Sequence, residues 1–217
     1  MKYGLAIFDM DGTILDTLDD LTTALNCALR DAGMPPRTRD EVCAFVGNGA
    51  GVLLDRAAAE GASEKDREKL RAAFGERYAE HCEDTTHPYD GIPELLAELR
   101  AHGCKTAVVS NKADFAVRIL AEKYFGGLFD AAEGEHAGVR RKPAPDAVNA
   151  LIEQFGAERA QTVYIGDSDV DIATARNAGV DCISVCWGFR TREFLQAHGA
   201  SRIVSDADDL RRLLIGG

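Results

Sequence analysis

The stretch LAIFDMDGTILDT (residues 5–17) determines how the rest of the chain is interpreted. Its apolar residues Leu5–Phe8 predict a short buried strand. Two carboxylates, Asp9 and Asp11, follow that strand with one residue between them. In an extended chain, residues two apart point to the same side. Two like charges held this close in a partly buried place repel each other and resist ionisation. We therefore expect the folded protein to have a functional reason for keeping these two carboxylates together.

Further strand-like runs follow the first one, separated by helix-like segments. Each is a nearly continuous apolar run of strand length, which is expected when both faces of a sheet are covered. These strands are Thr106–Val109, Thr162–Ile165, Cys182–Val185 and a weaker run, Arg202–Val204. The helices are Ile92–Ala101, Phe115–Tyr124, Ala147–Phe155 and Val170–Ala178. This alternation predicts an α/β fold with a Rossmann-like, doubly wound parallel sheet.

Residues 17–86 break the alternation, because they contain no convincing strand. They predict four amphipathic helices, which are Leu18–Asp31, Arg39–Val46, Val52–Glu60 and Glu64–Cys82. An all-helical segment directly after the first strand predicts a small domain inserted into the sheet domain. We therefore expect a Rossmann-like core of residues 1–16 and 87–217 and a helical cap of residues 17–86.

Composition and charge narrow the class of partner. The net charge of −11 disfavours nucleic acid, since affinity for a phosphate backbone depends on clustered Lys and Arg. No apolar stretch approaches the roughly 20 residues of a membrane span, and the N-terminus lacks the pattern of a signal peptide. Six cysteines without a CxxC pair are typical of reduced thiols. We expect a cytoplasmic protein without membrane or nucleic-acid partners; a monomer and a homodimer are both open.

Small polar or acidic side chains follow three of the predicted strands, so they should meet at one edge of a parallel sheet. They are Asp9 and Asp11, Ser110 and Asn111, and Asp167 and Asp171. Several carboxylates at one edge cannot all stay ionised without a cation nearby. Oxygen ligands without accompanying His or Cys suit Mg²⁺, which favours carboxylates together with a substrate phosphate. The sequence therefore predicts a Mg²⁺ site at this edge.

Four fragments resemble, in order, the motifs of haloacid dehalogenase-like hydrolases, and within them the phosphoglycolate phosphatase-like subfamily. They are DMDGT after the first strand, SN after the second, KPAPD in a loop and GDSDVD after the third. Each fragment alone also fits a turn, a surface loop or a helix N-terminus. Four of them in order, with strand context, are specific. The helical segment is similar to the cap of the subclass that acts on small molecules.

The resemblance implies a Mg²⁺-dependent phosphatase with three catalytic residues. Asp9 would be the nucleophile that attacks phosphorus and forms an aspartyl-phosphate. Asp11 would protonate the leaving oxygen and then activate water. Its presence favours phosphatases over dehalogenases, which lack a carboxylate at this second position. Lys142 would place a positive charge near the nucleophile and the phosphoryl group.

The resemblance also implies ligands for the phosphoryl group and the metal. Ser110 and Asn111 would hydrogen-bond the phosphoryl oxygens. Asp9, the backbone carbonyl of Asp11, and Asp167 would ligate Mg²⁺. Asp171 would be a supporting ligand or a partner of the ligands.

Substrate choice in this family is attributed to the cap, which closes over the core. The segment VGNGAG (residues 46–51) is the candidate cap loop, with Gly47 allowing close approach and Asn48 offering hydrogen bonds. The segment WGFR (residues 187–190) supplies Arg190, which either steers an anionic substrate or is a solvated loop cation. The segments VGNG (residues 46–49) and WGFR (residues 187–190) together resemble the corresponding segments of phosphoglycolate phosphatases.

The expected substrate is therefore a small phosphorylated metabolite, with 2-phosphoglycolate as the first candidate. A pyrophosphatase of the same subfamily shares much of this pattern. A sugar phosphomutase similar to β-phosphoglucomutase would use the same aspartyl-phosphate. A receiver-like module that accepts phosphate without rapid turnover is a non-enzymatic alternative, which the large helical insert and the complete acid/base pair disfavour.

Overall fold

The computed structural model describes residues 2–216, in which strands and helices alternate around one run of consecutive helices. The strands are β1 (Leu5–Phe8), β2 (Leu15–Asp16), β3 (His87–Pro88), β4 (Lys105–Ala113), β5 (Ala131–Glu135), β6 (Thr162–Gly166), β7 (Asp181–Val185) and β8 (Ile203–Val204). The helices are α1 (Leu18–Asp31), α2 (Arg39–Phe45), α3 (Ala50–Ala57), α4 (Glu64–His81), α5 (Ile92–Ala101), α6 (Asp114–Phe125), α7 (Asp146–Phe155), α8 (Asp169–Ala178), α9 (Arg192–Ala197) and α10 (Ala207–Leu214).

Six strands form one parallel sheet in the order β5-β4-β1-β6-β7-β8. At its centre, Phe8 of β1 pairs with Val108 of β4 on one side and Ile165 of β6 on the other. The chain moves outward from β1 through β4 and β5, then returns to β6 and moves outward on the other side. The direction reverses between β1 and β6, and a ligand crevice opens at the carboxyl ends of such strands. The predicted doubly wound α/β fold is confirmed.

Helices cover both faces of the sheet, which explains why the strands are continuously apolar. Leu5 and Ile7 pack into a cluster with Leu151 of α7. The alternating residues Ala6 and Phe8 pack into the larger cluster, to which α5, α6 and α10 contribute. All four residues of β1 are buried, so this strand anchors whatever follows its carboxyl end.

The helices α1–α4, called the helical insert below, lie between β2 and β3. These two short strands pair antiparallel, Leu15 with Pro88 and Asp16 with His87, so the chain enters and leaves the insert side by side. Within the insert, α1 packs against α4. The division into a core of residues 1–16 and 87–217 and a cap of residues 17–86 stays a prediction.

The six cysteines are free. Of the helices within residues 2–216, none combines the length and the apolar composition that crossing a membrane requires.

The structure corrects several predicted elements. The strands β2, β3 and β5 and the helices α9 and α10 are absent from the sequence prediction. β5 has the sequence AAEGE and no apolar run, because it is a half-exposed edge strand held by pairing with β4. Helix α3 spans Ala50–Ala57 rather than Val52–Glu60. β4 continues past Val109 with a shift in register, so Ser110 and Asn111 lie in its irregular end rather than after it.

Candidate active site

Asp9 lies at the carboxyl end of β1, where the strand order reverses. Its backbone N–H donates to the carbonyl of Ile165 at 2.8 Å, which extends the pairing with β6 by one residue. Its Oδ1 accepts hydrogen bonds from the Met10 N–H at 2.7 Å and from Lys142 Nζ at 2.8 Å. Within residues 2–216 no donor reaches Oδ2. One oxygen of Asp9 is therefore held and the other is available to a ligand.

Asp11 lies on the tight turn that follows β1, in which three successive backbone N–H groups donate to the carbonyl of Met10. Asp11 Oδ1 accepts from Thr17 Oγ1 at 2.7 Å and from Lys112 Nζ at 2.8 Å. Asp9 and Asp11 line the same cavity. The turn thus directs both carboxylates of the opening stretch to one place.

Asp167 follows β6, the strand next to β1, and is buried. Its Oδ2 accepts a hydrogen bond from the Phe189 N–H at 2.6 Å. A Cβ atom added at Gly12 would lie 2.4 Å from this oxygen, and one added at Gly188 would lie 2.5 Å from it. Gly12 also has a φ of +78°, which other residues rarely adopt. Two glycines are therefore needed to pack backbone against this carboxylate.

Asp171 lies in the first turn of α8 and has both oxygens occupied. Oδ2 accepts from the N–H and the Oγ of Ser168, at 3.1 and 2.6 Å, in a capping box. Oδ1 accepts from Lys142 Nζ at 2.8 Å, and the same ammonium contacts the Tyr164 hydroxyl at 3.0 Å. A Cβ at Gly166 would lie 2.3 Å from Asp171 Cγ. Asp171 therefore fixes Lys142 beside Asp9.

Burial and mutual repulsion dominate the electrostatics of this cluster. Burial, reinforced by the charges of Asp171 and Asp11, raises the pKa of Asp9 to about 7 although Lys142 opposes the shift. Burial and the neighbouring Asp171 and Asp9 raise the pKa of Asp167 well above its usual range. Burial alone would lower the pKa of Lys142, but Asp171 and Asp9 outweigh it, and the pKa is raised. The one ammonium of Lys142 is therefore too little positive charge to balance the carboxylates of the cluster.

The donor set fits a divalent cation. Asp9, Asp167 and Asp171 are buried and offer carboxylate oxygens within 4.8 Å of one another. The ammonium of Lys142 contacts two of these three carboxylates. Three carboxylates against one ammonium leave an excess of negative charge that a cation would balance. Hard oxygen donors of this kind are preferred by divalent cations such as those of the alkaline earths.

Ser110 and Asn111 lie at the end of β4 and line the cavity. The Asn111 amide is fully engaged: Oδ1 accepts from the Lys142 N–H at 2.8 Å, and Nδ2 donates to the Lys142 carbonyl at 3.1 Å and the Gly47 carbonyl at 3.2 Å. Asn111 therefore holds the backbone of Lys142 and ties the sheet region to the helical insert. Binding of a phosphoryl group by Ser110 and Asn111 stays a prediction.

The three residues predicted for the cap side are placed differently from one another. Gly47 and Arg190 line the cavity, whereas Asn48 is outside the set of residues that line it. The Arg190 guanidinium donates to the carbonyls of Cys43 and Val46, each at 2.8 Å, at the carboxyl end of α2. A helix end with free carbonyls attracts a cation. Arg190 is thus a link between the two regions rather than a solvated loop cation; a contact with substrate stays a prediction.

A cavity of about 300 Å³ lies between the sheet edge and the helical insert. The sheet side presents charged and polar groups, namely Asp9, Asp11, Ser110, Asn111, Lys112 and Asp167. The insert side is largely apolar, with Leu21, Leu53, Leu54, Phe74 and Tyr78. The arrangement can therefore hold a small anionic group at the sheet edge and enclose what is attached to it.

Sequence reasoning misses three contributors to this site. Lys112 directly follows the SN fragment, and its place in SNKAD is a signal that could have found it. Phe189 contributes through its backbone N–H, and its position within the quoted WGFR segment gives only its neighbourhood. Tyr78 has no distinguishing signal, because an aromatic residue on an amphipathic helix usually packs in a core.

Comparison with known proteins gives the family. The family described as haloacid dehalogenase-like hydrolase matches residues 6–185, which is most of the chain. The phosphoglycolate phosphatase of Pseudomonas putida is 34% identical over 218 residues, which cover 98% of this chain and 79% of that protein. The phosphoglycolate phosphatase of Vibrio parahaemolyticus is 34% identical over 217 residues, with 97% and 94% covered.

Solved structures agree with the sequence relatives. A structure from Lactobacillus delbrueckii subsp. bulgaricus, provisionally assigned as a phosphoglycolate phosphatase, has a TM-score of 0.95 at 42% identity, with 100% of both chains covered. A structure from Haemophilus somnus, described as a predicted phosphoglycolate phosphatase, has a TM-score of 0.92 at 28% identity, with 98% of each covered. The similarity spans the sheet region and the helical insert alike.

Proposed function

The chain belongs to the haloacid dehalogenase-like hydrolases and is a phosphoric monoester hydrolase, and we propose that its substrate is 2-phosphoglycolate. The observation that carries the mechanism is the pairing of Asp9 with Lys142. Oδ1 of Asp9 is held by the ammonium while Oδ2 has no donor within residues 2–216, and Asp9 lines the cavity. A held carboxylate with one free oxygen suits nucleophilic attack on phosphorus.

In the first step, Asp9 Oδ2 attacks the phosphorus atom and the bond from phosphorus to the ester oxygen breaks. Asp11 gives a proton to that oxygen, so the leaving group departs as an alcohol. Lys142 offsets the negative charge of Asp9 and of the phosphoryl oxygens as they approach. The products of this step are the free alcohol and a phosphoryl group on Asp9.

In the second step, Asp11 takes a proton from a water molecule, whose oxygen attacks the phosphorus atom. The bond between phosphorus and Asp9 breaks, which releases inorganic phosphate and restores both carboxyl groups to their starting forms. Ser110 and Asn111 are assigned to the phosphoryl oxygens in both steps, and both residues line the cavity. For Asn111 this requires that Nδ2 exchange its contact with the Gly47 carbonyl, at 3.2 Å, for a phosphoryl oxygen. The apolar insert side excludes water other than the attacking molecule.

The metal in this proposal is Mg²⁺, which Asp9, Asp167 and the backbone carbonyl of Asp11 would hold. We give Asp171 the supporting role, because Ser168 and Lys142 already occupy both of its oxygens. When bound, Mg²⁺ supplies positive charge that allows an anionic phosphoryl group to approach a carboxylate.

The choice of 2-phosphoglycolate rests on the names of the relatives and on the size of the cavity. Relatives that cover nearly the whole chain are named phosphoglycolate phosphatases. The cavity of about 300 Å³ suits a small leaving group. A cytoplasmic location and the choice between monomer and homodimer stay predictions from the sequence.

The test is a turnover assay over 2-phosphoglycolate, pyrophosphate and hexose phosphates, with and without Mg²⁺. We expect phosphate release from 2-phosphoglycolate with the highest kcat/KM, and only with the metal present. A higher kcat/KM for pyrophosphate than for 2-phosphoglycolate would indicate the pyrophosphatase alternative. Isomer formation from hexose phosphates without net phosphate release would indicate the phosphomutase.

A further inference from the structure

Lys112 is a buried cation that the mechanism above does not use. It follows Asn111 near the end of β4, and only 3% of its side chain is exposed. Its Nζ donates to Asp11 Oδ1 at 2.8 Å. A buried ammonium is costly unless it is paired, so this position is occupied by a lysine for a specific interaction.

The second partner of Lys112 comes from the helical insert. Its Nζ forms a short hydrogen bond with the hydroxyl of Tyr78, on α4, and lies 4.7 Å from the centre of the Tyr78 ring. Tyr78 is itself fixed, because its ring stacks on Phe74 at 5.3 Å with an interplanar angle of 8°. Lys112 therefore connects the sheet edge to α4 through a rigid aromatic side chain.

Asp11 is held at one oxygen only. Its Oδ1 accepts from both Thr17 and Lys112, whereas within residues 2–216 no donor reaches Oδ2. A carboxylate fixed through one oxygen keeps a defined orientation while the other oxygen can meet a ligand. Thr17 lies at the start of α1 and Tyr78 near the end of α4, so Asp11 is connected to both ends of the helical insert.

We propose that Lys112 is a positioning residue that holds Asp11 for proton transfer to the leaving group, and that Tyr78 of α4 anchors it there. The proton donor is then correctly oriented only while α4 packs over the cavity as it does in this structure. The inference rests on the proposed role of Asp11 as general acid.

A positioning role has a consequence that a phosphate-binding role does not have. Proton donation matters most when the leaving oxygen is strongly basic, and little when the leaving group is stable as an anion. Loss of the Lys112 contact should therefore slow esters with basic leaving groups selectively. Loss of a charge that binds the phosphoryl group would slow all esters equally, because that group is common to them.

The test compares phenyl phosphate with p-nitrophenyl phosphate, which are nearly equal in size and differ in the basicity of the leaving group. The quantity measured is kcat/KM, which reports the steps up to the first phosphoryl transfer. For Lys112→Met we expect a loss of about 10²-fold with phenyl phosphate and less than about threefold with p-nitrophenyl phosphate. Lys69→Met makes the same replacement at an exposed position of α4, the helix that carries Tyr78; it is the control and should leave both values unchanged.

Asp11→Asn separates the inference from the proposed function. It should show the same selective loss, at least as large as that of Lys112→Met. Equal losses for both esters in Lys112→Met, beside a selective loss in Asp11→Asn, would overturn the role of Lys112 alone. No selectivity in Asp11→Asn, or no phosphate release from 2-phosphoglycolate by the wild-type protein, would count against the proposed function itself.

Tyr78→Phe provides a second route if Lys112→Met folds poorly. It removes one oxygen atom and keeps the ring that stacks on Phe74. We expect the same selectivity with a smaller amplitude, about 3- to 10-fold for phenyl phosphate, since the loss of one buried partner costs less than the loss of the ammonium. An equal response of the two esters to Tyr78→Phe would contradict the role of α4.

Discussion

The sheet edge and the helical insert face the same cavity with opposite chemistry. On the sheet side, the buried carboxylates of Asp9 and Asp167 lie at the carboxyl ends of β1 and β6. Asp9 is paired with Lys142, and Asp167 accepts a hydrogen bond from the Phe189 N–H. On the insert side, apolar side chains of α1, α3 and α4 predominate. Strand ends are rigid, so they suit groups that must be placed to within fractions of an ångström. Helices that cover the cavity need only provide shape and exclude water.

The two regions also differ in what they contribute to the contacts between them. The sheet side supplies side chains that donate, namely Asn111, Lys112 and Arg190. The insert supplies mainly acceptors, which are the carbonyls of Gly47 and of the α2 end and the Tyr78 hydroxyl. The exceptions are Thr17, whose hydroxyl donates to Asp11, and Cys43, whose thiol donates to the Phe189 carbonyl. The polar contacts between the two regions therefore depend on a few residues of the sheet side. Single substitutions should show which residues act in the reaction and which hold the insert over the cavity.

The largest expected effect comes from removing the free oxygen on the sheet side. Asp9→Asn should lower kcat for 2-phosphoglycolate by about 10⁴-fold or more, because an amide cannot replace the carboxylate nucleophile. The fold should persist, since the asparagine carbonyl can still accept from Met10 and Lys142. Activity is measured by phosphate release and folding by circular dichroism. Turnover close to that of the wild type would exclude Asp9 as the nucleophile.

The next effect concerns the Mg²⁺ ion proposed for the same edge. Asp167→Asn should reduce Mg²⁺-dependent kcat/KM by about 10³-fold, since charge stabilisation by a metal is worth several kcal/mol. Thermal unfolding provides the second measurement. Mg²⁺ at 100 times its Kd should increase the free energy of unfolding of the wild type by about 2–3 kcal/mol and thereby raise its Tm. The Tm of the variant should not respond to Mg²⁺.

The metal-free proteins give the control for this prediction. Burial and neighbouring carboxylates raise the pKa of Asp167, so its charge opposes folding when no cation is present. Without Mg²⁺ the asparagine variant should therefore be no less stable than the wild type. A lower Tm of the metal-free variant would contradict the repulsion inferred for this cluster.

A smaller effect is expected where the two regions meet. Arg190→Ala removes donors to the carbonyls of Cys43 and Val46 and should loosen the insert over the cavity. We expect kcat/KM to fall by about tenfold, corresponding to roughly one charged hydrogen bond. Mg²⁺ should still raise the Tm as in the wild type. Loss of the Mg²⁺ response would show that Arg190 supports the sheet-side cluster instead.

The smallest effect on activity is expected from the junction of the insert, whose residues Asp20, Thr85 and Thr86 are not among those that line the cavity. Asp20 of α1 is buried and accepts hydrogen bonds from the backbone N–H and the hydroxyl of both Thr85 and Thr86. Burial alone would raise the pKa of Asp20, but these hydrogen bonds outweigh it, and the pKa is lowered. A lowered pKa means that the ionised form stabilises the fold above about pH 4, and that this contribution is lost as pH falls through the folded-state pKa.

Asp20→Asn should therefore lower the free energy of unfolding by about 1.5–3 kcal/mol at neutral pH, with less than about a twofold change in kcat/KM. The difference from the wild type should shrink in acid, as urea unfolding at a series of pH values would measure. A difference that is constant from neutral pH to pH 3 would mean that the charge of Asp20 is not what the hydrogen bonds stabilise.

The fold was predictable where local pattern and tertiary environment agree. The continuous apolar runs of β1, β6 and β7 follow from burial on both faces, and the helices around them follow from their periodicity. β5 could not be predicted, because AAEGE has no strand pattern and is a strand only through pairing with β4. The start of α3 was misjudged because glycines, which usually interrupt helices, lie beside and within its first turn.

The residues of the candidate site likewise fall into those that the sequence pattern predicted and those that only the folded structure reveals. Asp9, Asp11, Lys142 and Asp167 carry motif and strand context, and the structure places all of them around one cavity or cluster. Lys112, Tyr78 and the Phe189 N–H act through contacts between segments far apart in sequence. Asn48 and Arg190 were both predicted to contact substrate; Asn48 lies outside the cavity lining, whereas Arg190 lines the cavity and donates to carbonyls at the end of α2, and its contact with substrate stays a prediction.

The order of residues was enough to show which carboxylates stand at the ends of which strands, because strand position and side-chain alternation are local properties. The charge balance among these carboxylates, and the residues that orient Asp11, became visible only once the chain was folded. Those depend on distances between β1, β4, β6 and α4, and on how deeply each group is buried. Electrostatic energy is set by separation and by exclusion of water, neither of which is written in the order of residues.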